Sequence, residues 1–267
     1  MTEFKDKVVI ITGASSGIGH ELARQLAKQG AWLALAARRE DKLEELAEEC
    51  EALGGRALVV VTDVADEAQC KRLAEHTVEE FGGIDVLVNN AGITIWAKFE
   101  EMQSLDPFEA VMRVNYLGSL YCTHYALSHL KESQGRIVAV SSLAGKTGVP
   151  FRSGYSASKF AMAGFFETLR IEVAEHGVSV TMIYPDYVQT DTRLQAFGPD
   201  GKPIGTRPLR QGRMMTVEVA ARQIIDAIRK RKRELLMSRR GKLGQWLKLI
   251  APGLVDRIAA RAVQGSG

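Results

Sequence analysis

The sequence predicts one α/β domain, built as an open, doubly wound parallel sheet with helices on both faces. Short apolar runs alternate with amphipathic stretches from the first residues onward, and this alternation is typical of right-handed parallel βαβ units. Most of the runs are continuously apolar, as strands covered on both faces are. A glycine-rich segment follows the first run directly, at the strand end where such folds bind their ligands.

Seven apolar runs are predicted to form the strands, and six periodic stretches are predicted to form the helices. In chain order the strands are Lys7–Thr12, Ala31–Ala36, Ala57–Thr62, Ile84–Val88, Arg136–Ser141, Val178–Tyr184 and Glu234–Met237. The helices are Gly17–Gln29, Asp41–Leu53, Glu67–Phe81, Pro107–Leu130, Tyr155–Glu175 and Val217–Arg229. Because each helix lies between two consecutive strands, each can serve as the crossover connection that parallel strands need.

Two segments are expected to stand apart from this regular alternation. Residues 191–213 are rich in Gly, Pro and Arg and are predicted to form a long loop. Loops of this length in compact domains often bind or cover a ligand, so we expect this loop to contact the substrate. Residues 1–238 then form the main domain, and residues 239–267 form an extension of it.

Composition and charge exclude several classes of protein. The net charge of +3 is too small to predict a nucleic-acid partner. The three scattered cysteines, Cys50, Cys70 and Cys122, favour neither a disulfide framework nor a zinc site, and the histidines show no metal-ligand spacing, so we expect no metal. No stretch reaches the roughly 20 apolar residues that span a bilayer, and no signal-peptide core precedes the first strand. We expect a cytoplasmic protein that is soluble or at most attached to a membrane surface.

A basic amphipathic pattern continues after the last predicted strand. Apolar residues recur at helical spacing, with Trp246 beside them and basic residues among them. The apolar positions are Leu243, Leu247, Ile250, Leu254 and Ile258. Such a segment can make peripheral contact with a membrane, or it can pack on the protein's own surface or on a partner subunit; both interpretations stay open. Pro252 is expected to divide it into two short helices.

The glycine-rich segment Thr12–Gly19 is predicted to bind the pyrophosphate of a dinucleotide. Its spacing is GxxxGxG, and a helix follows at once. Glycines let the backbone approach a phosphate closely, and the helix N-terminus offers unpaired N–H groups and the positive end of its dipole. The residues expected to contact the cofactor here are Gly13, Ser15, Ser16, Gly17, Ile18 and Gly19. The alternative is a tight strand–helix turn without a ligand.

The residues after the second strand indicate which dinucleotide binds. An acidic residue that takes the ribose 2′-hydroxyl of NAD often stands here, but this chain reads Ala37-Arg38-Arg39. A guanidinium matches a 2′-phosphate in charge and in geometry. We therefore predict NADP(H) as the cofactor, with Arg38 at its 2′-phosphate. A pair of solvated arginines is the alternative.

Tyr155 and Lys159 are predicted to form a proton-transfer pair, because four positions apart they share one helix face. A tyrosine normally titrates near pH ~10, and a nearby ammonium group lowers this pKa by favouring the phenolate. Such a tyrosine can donate a proton to a carbonyl oxygen or accept one from an alcohol. Ser142, at the end of an earlier strand, can hold the same oxygen. The YxxxK spacing alone more often marks an exposed helix face.

Together these motifs resemble the short-chain dehydrogenase/reductase family in its compact single-domain form. The resemblance covers roughly residues 5–237. It rests on Thr12–Gly19, Asp63, Asn89–Gly92, Asn115, Ser142, Tyr155 and Lys159, in this order. It implies a Rossmann-type sheet in which residues 1–238 form the dinucleotide-binding catalytic domain, and it implies a homo-oligomer, either a dimer or a tetramer.

The resemblance also implies a role for each matching residue. Tyr155 is implied to be the catalytic acid/base, Ser142 to orient and polarise the substrate oxygen, and Lys159 to bind the nicotinamide ribose. Asn115 is implied to hold a water that links Lys159 to solvent. Cofactor contacts are further implied for Asp63, Asn90 and Thr190.

One position departs from the family pattern. After the sixth strand the family usually reads Pro-Gly-x-Val-x-Thr, whereas this chain has Asp186 in place of the glycine. Asp186 is either a tolerated turn residue or a polar group that faces the substrate.

The sequence thus predicts an oxidoreductase that moves a hydride between NADP(H) and a carbonyl or secondary alcohol of a small molecule. Apolar residues expected near the site, among them Leu143, Phe151 and Phe197, hint at a lipophilic substrate. A non-catalytic NADP(H)-binding sensor or scaffold on the same fold is the main alternative. An isomerase or dehydratase that retains its nicotinamide is a third.

Overall fold

In the computed structural model, residues 3–190, 195–205 and 214–264 are described, and they contain one seven-stranded parallel sheet. Its strands are β1 (Val8–Thr12), β2 (Trp32–Ala37), β3 (Arg56–Val61), β4 (Val86–Asn89), β5 (Arg136–Val140), β6 (Ser179–Tyr184) and β7 (Glu234–Leu236). Their order is β3-β2-β1-β4-β5-β6-β7. The winding reverses between β1 and β4, which places the ligand crevice at the carboxyl ends of these two strands.

Helices cover both faces of the sheet, which confirms the predicted fold class. They are α1 (Gly17–Ala27), α2 (Glu40–Ala52), α3 (Glu67–Phe81), α4 (Asp106–Val111), α5 (Gly118–Glu132), α6 (Ser153–Glu172), α7 (Val217–Arg229), α8 (Arg239–Ile250) and α9 (Pro252–Gln264). Ile11 of β1 belongs to the core under α1, α2 and α7, whereas Ile10 belongs to the core under α3, α5 and α6. Successive strand residues therefore feed opposite layers.

The long helix predicted over Pro107–Leu130 is interrupted. Between α4 and α5 the residues Met112–Leu117 form a π-helical turn. Within this turn Asn115 is fully buried, and its side chain bonds the backbone of Ile93. Turns of this kind are frequent at functional sites. Apolar periodicity did not reveal it, because the helical pattern continues on both sides of the turn.

The C-terminal extension forms two helices, as predicted. Ser238 caps α8 by accepting a hydrogen bond from the amide of Gly241 at 2.9 Å, and α9 begins at Pro252. Gly241 lies so close to Leu143 that a Cβ there would be 2.8 Å from the leucine side chain. Since Leu143 follows Ser142 directly, α8 begins beside the carboxyl end of β5.

The predicted loop 191–213 is described only over residues 195–205, and the parts 191–194 and 206–213 lie outside the described residues. Phe197 in the described part forms β-bridges to Ile95 and Pro203. No helix in the described part of the chain is long and apolar enough to cross a membrane. Those same residues contain no group of three His, Cys, Asp or Glu side chains placed to hold a metal ion.

Candidate active site

The glycine-rich turn between β1 and α1 leaves room for a ligand at the helix N-terminus. Gly13 and Gly17 adopt φ angles of +66° and +60°, which favour glycine. A Cβ at Gly13 would lie 2.9 Å from Ala91 Cα, and one at Gly19 would collide with the carbonyl oxygen of Gly13. Ser16 is the N-cap residue, but its side chain makes no capping bond. The first N–H groups of α1 therefore stay available to an anion.

Polar side chains from two strand ends hold this turn in place. The hydroxyl of Thr12 accepts hydrogen bonds from the amides of Asn90 and Ala91 at 3.0 and 3.1 Å. The Asn90 amide group donates to the carbonyl oxygens of Thr12 and Gly13 at 2.9 and 3.2 Å. The predicted cofactor residue Asn90 thus braces the glycine turn from β4.

Of the two arginines after β2, Arg39 is the one that reaches the turn. Its guanidinium donates to Ser15 Oγ at 3.0 Å and to the Ser15 carbonyl at 3.2 Å. Among the described residues Arg38, the residue predicted for the 2′-phosphate, makes no hydrogen bond to the turn, and both arginines are exposed. The sequence indicated an arginine at this position. The direction of each side chain at the strand end decides whether Arg38 or Arg39 contacts the glycine-rich segment, and Arg39 does so.

Two further predicted cofactor residues lie along the same crevice. Asp63 follows β3 and accepts a hydrogen bond from the amide of Ala65 at 3.0 Å, while its own amide donates to Gln69 at 2.8 Å. Thr190 lies against the turn, since a Cβ at Gly17 would be 3.1 Å from Thr190 Cγ2. Ile18 is partly buried and packs against the core under α1.

Tyr155 and Ser142 meet at the carboxyl end of β5. Ser142 Oγ accepts from the amide of Ala144 at 3.2 Å, and Tyr155 lies in the first turn of α6. Burial raises the pKa of Tyr155, and the charge of Arg152 and a hydrogen bond with Ser142 oppose this effect without cancelling it. The sequence predicted a pKa lowered by Lys159. In the structure burial dominates, and the opposing cation is Arg152.

Lys159 is buried with little to stabilise its charge. It is 3% exposed, and its ammonium group donates to the carbonyl oxygen of Val140 at 2.9 Å. Its Nζ is 5.9 Å from the centre of the Tyr155 ring. Burial lowers the pKa of Lys159 to about 7, because desolvation disfavours an ammonium ion. The group therefore holds its proton only weakly near neutral pH.

Asn115 lies next to these groups and ties three segments together. Its Oδ1 accepts from the amide of Ile93 at 2.9 Å, and its Nδ2 donates to Ser158 Oγ at 2.8 Å. A Cβ at Gly92 would lie 3.2 Å from Asn115 Oδ1 and 3.5 Å from Lys159 Nζ. The structure thus brings Asn115 and Lys159 to one point beside the end of β4.

Comparison with known proteins shows which family the chain belongs to. The profile of the short chain dehydrogenase family matches residues 7–198. An 11-beta-hydroxysteroid dehydrogenase 1A from Arabidopsis thaliana is 38% identical over 257 residues, which cover 94% of this chain and 73% of the relative. The chain belongs to the short-chain dehydrogenase family.

Two further comparisons show how far the likeness extends. An 11-beta-hydroxysteroid dehydrogenase-like 4A from Arabidopsis thaliana is 47% identical over 184 residues, which are 68% of this chain but only 61% of that relative's length. A solved alcohol dehydrogenase from the archaeon Thermococcus sibiricus, complexed with 5-hydroxy-NADP, superposes with a TM-score of 0.74. It is 28% identical, and the match covers 86% of this chain and 95% of that one.

The departure of Asp186 from the short-chain dehydrogenase pattern has a structural reason. The hydroxyl of Ser238 donates to Asp186 Oδ2 at 2.8 Å, and Ser238 is the residue that caps α8. Asp186 therefore joins the turn after β6 to the C-terminal extension. This contact supports the interpretation of Asp186 as a turn residue over that of a polar group that faces the substrate.

Sequence reasoning missed Arg152, the residue that precedes α6. Its guanidinium carbon lies 4.8 Å from the centre of the Trp96 ring and 5.5 Å from that of Tyr155. An arginine three positions before the tyrosine was visible in the sequence. Only the structure shows that it turns toward the reacting end of α6.

Proposed function

We propose that this short-chain dehydrogenase is an NADP(H)-dependent oxidoreductase that acts on the carbonyl or secondary alcohol group of a lipophilic small molecule. The observation that carries the proposal is the meeting of Ser142, Tyr155, Lys159 and Asn115 beside the glycine turn. Titratable groups with perturbed pKa values, gathered in a crevice, are typical of sites that move protons.

The residues at the carboxyl edge of the sheet fit a dinucleotide phosphate. Gly13, Gly17 and Gly19 keep the backbone free of side chains there, and Ser16 leaves the helix N-terminus open. Arg38 and Arg39 bring two guanidinium groups to the end of β2, which suits a 2′-phosphate better than a bare hydroxyl. When bound, the nicotinamide supplies or removes the hydride.

Asp63, Asn90 and Thr190 are proposed to complete the cofactor site. Asn90 acts mainly through the shape of the turn, because both hydrogens of its amide group bond the backbone of β1 and the turn. Thr190 lies on the other side of Gly17. The solved relative in complex with 5-hydroxy-NADP supports this choice of cofactor by analogy.

Tyr155 is proposed to exchange the proton. Since burial raises its pKa, the phenol is protonated at neutral pH and donates to a carbonyl oxygen during reduction. Ser142 holds the same oxygen and polarises it. Lys159 binds the nicotinamide ribose and, with a pKa near 7, can return a proton to the tyrosine. Asn115 is proposed to hold a water that links Lys159 to solvent.

Apolar surroundings support a lipophilic substrate. Leu143 and Phe151 are partly buried neighbours of Ser142 and Tyr155. The relatives named as hydroxysteroid dehydrogenases point in the same direction. Phe197 of the loop packs instead on the small core around Ile95 and Val111, and it is not part of this argument for a lipophilic substrate.

The experiment follows nicotinamide absorbance while the protein meets a panel of lipophilic ketones with NADPH or NADH. Wild type is expected to consume NADPH, and Tyr155→Phe is expected to lose about 10²–10⁴-fold in kcat. Tyr121→Phe is the matched control, since Tyr121 only packs against the core. Tight NADPH binding without turnover on any ketone would instead favour the sensor or scaffold, and turnover of a substrate without net cofactor consumption would favour the isomerase or dehydratase.

The exposed face of α8 and α9 supports a second proposal, peripheral attachment of a cytoplasmic protein to an anionic membrane. Six large apolar side chains are exposed there: Leu243 (70%), Trp246 (72%), Leu249 (76%), Ile250 (82%), Leu254 (40%) and Ile258 (44%). Residues 239–267 carry six basic residues and one acidic residue. Two copies of so basic a segment repel each other, whereas anionic lipid attracts it. The three free, buried cysteines suit a reducing compartment.

Co-sedimentation with vesicles tests this attachment. Wild type is expected to bind vesicles that contain an anionic lipid and to bind neutral vesicles less. The double variant Trp246→Ser/Ile250→Ser is expected to lose binding, while Leu105→Ser, which removes an exposed apolar side chain just before α4, is expected to keep it. Equal, negligible binding by all three proteins would reject the proposal.

We also propose that the chain forms a homo-oligomer, a dimer or a tetramer, through the outer faces of α5 and α6. Ile171 and Phe160 are large apolar side chains exposed on α6, and such side chains are often covered by a second subunit. Light scattering of the purified protein over a range of concentrations tests this assembly, and a constant monomer mass would reject it.

A further inference from the structure

Arg152 presents its charge beside the residue proposed to exchange the proton. Its guanidinium lies over the Trp96 ring at 4.8 Å, and the Trp96 ring stacks on Phe151 at 5.8 Å with an interplanar angle of 11°. On the other side it lies 5.5 Å from the centre of the Tyr155 ring. Aromatic faces thus hold the plane of the guanidinium, as cation–π contacts do.

The hydrogen-bonding edges of this guanidinium are unused. Arg152 Nε is buried without a hydrogen-bond partner, and within the described part of the chain Arg152 makes no side-chain hydrogen bond or ion pair. A guanidinium has five N–H donors in a planar fork. Stacking occupies only the faces of the guanidinium, and of its nitrogens only Nε is buried and unpaired, so the terminal edge with Nη1 and Nη2 remains free to bind a planar anion in a bidentate manner.

The backbone before Arg152 is held in a costly conformation. Phe151 has a φ of +65°, a backbone conformation that non-glycine residues rarely adopt. Its carbonyl oxygen accepts a hydrogen bond from the amide of Ala97 at 3.0 Å, which fixes the loop that carries Trp96. This turn directs Arg152 toward Tyr155 rather than into solvent. Strain of this kind clusters at ligand-binding positions.

We infer that Arg152 forms an anion-binding subsite next to Tyr155 and that the substrate is amphipathic, with a carboxylate or another acidic group on an apolar carbonyl compound. The acidic group would bind the free edge of the guanidinium, while the carbonyl oxygen lies between Tyr155 and Ser142. Leu143 and Phe151 contact the apolar part. This inference rests on the proposed oxidoreductase function and narrows its substrate class.

The closing experiment compares straight-chain methyl-ketone acids of increasing length with their methyl esters, using NADPH. Wild type is expected to prefer the acid of a fitting length by about 10- to 100-fold in kcat/KM, mostly through KM. Arg152→Met is expected to abolish this preference, because kcat/KM for the acid falls at least 10-fold further than kcat/KM for the ester. Arg152→Lys, which keeps the charge without the fork, is expected to fall between. The control is Arg222→Met, an exposed arginine on α7, and it is expected to behave as wild type.

Calorimetric binding of an alkyl carboxylate and of its primary amide, in the presence of NADP⁺, gives a readout without turnover. Selective carboxylate binding that disappears in Arg152→Met supports the subsite even if no ketone of the panel is reduced. If the carboxylate binds selectively but no ketone is reduced, the proposed oxidoreductase function is contradicted and the anion-binding subsite is not. Equal treatment of acids and esters by wild type, or a preference that survives in Arg152→Met, overturns the inference. So does an equal loss on acid and ester together with a shifted pH profile, because Arg152 would then act only through Tyr155.

Discussion

The glycine turn and the beginning of α6 lie at the same edge of the sheet, but they differ in how far their polar side chains are hydrogen-bonded. At the turn, Thr12 and Asn90 are bonded to the backbone on several sides. At α6, no carboxylate among the described residues stabilises the charge of Lys159, and Arg152 has an unpaired buried nitrogen. Polar networks whose hydrogen bonds are all made rigidify a fold. Buried charged groups without a partner have perturbed pKa values, which are typical of sites that transfer protons. We therefore propose that the first region shapes the site and that the second transfers the proton.

Lys159→Met should lower activity strongly without lowering the stability of the protein. We expect kcat to fall about 10²–10⁴-fold, because in the proposed mechanism Lys159 binds the ribose hydroxyls and passes a proton to Tyr155. Lys71→Met, on the exposed face of α3, is expected to leave kcat unchanged. Steady-state rates, with cofactor affinity measured separately, check the result. Full activity in Lys159→Met would contradict the proposed role.

The same variant should stabilise the cofactor-free protein in a pH-dependent way. Lys159 loses its proton near pH 7 in the folded protein but only near 10.5 when unfolded. Between these values the unfolded chain binds more protons, so wild-type stability rises with pH by up to about 1.4 kcal/mol per unit. The advantage of Lys159→Met is therefore largest below pH 7 and disappears toward pH 10. Denaturant titrations at several pH values measure it, and a pH-independent difference would argue against a buried ammonium group.

Asn90→Ala should have the opposite effect on stability. It removes two hydrogen bonds that brace the glycine turn and leaves backbone acceptors unpaired, so we expect a loss of about 1–3 kcal/mol in the free energy of unfolding. Gln103→Ala, at an exposed position, is the control. A neutral outcome for Asn90→Ala would mean that the turn does not depend on this brace.

Reversing the charge after β2 should change cofactor choice without changing the chemistry. Arg39→Asp removes the guanidinium that bonds Ser15, and Arg38→Asp removes its exposed neighbour. We expect each to lower the preference for NADPH over NADH by about 10- to 100-fold. The ratio of kcat/KM for the two cofactors measures the effect. If only one variant changes the ratio, that arginine alone holds the 2′-phosphate.

Asp186→Gly should have the smallest effect. It removes the acceptor for Ser238, the cap of α8, so we expect about 1 kcal/mol less protection of the α8 amides. The order of preference across the ketone panel should not change. Hydrogen exchange of α8 is the direct measurement, and an altered substrate order would restore the interpretation of Asp186 as a substrate-facing group.

The sheet and most of its helices were predictable because they depend on local patterns. All seven strands were located within about two residues, since continuous apolar runs are typical of doubly covered parallel strands. The π-helical turn at Asn115 was not predictable, because it leaves the apolar period on either side intact. Pro252 did divide the extension as predicted.

The members of the site were easier to predict than their contacts. The motifs named Tyr155 and Lys159, but the cation that opposes burial of Tyr155 is Arg152. Likewise the sequence favoured Arg38, whereas Arg39 bonds Ser15. Such contacts depend on how side chains turn at strand and helix ends, which residue spacing along the chain does not specify.

The most direct test of the central claim is the pH dependence of both reaction directions, measured for wild type and Tyr155→Phe. Because burial raises the pKa of Tyr155, the decline of ketone reduction that this tyrosine causes should come only in alkali, above any step near pH 7 from Lys159, whereas alcohol oxidation should rise with pH. The alkaline decline of reduction and the rise of oxidation with pH should both disappear in Tyr155→Phe and persist in Tyr121→Phe. Unchanged profiles in Tyr155→Phe would show that another group moves the proton and would contradict the proposed mechanism.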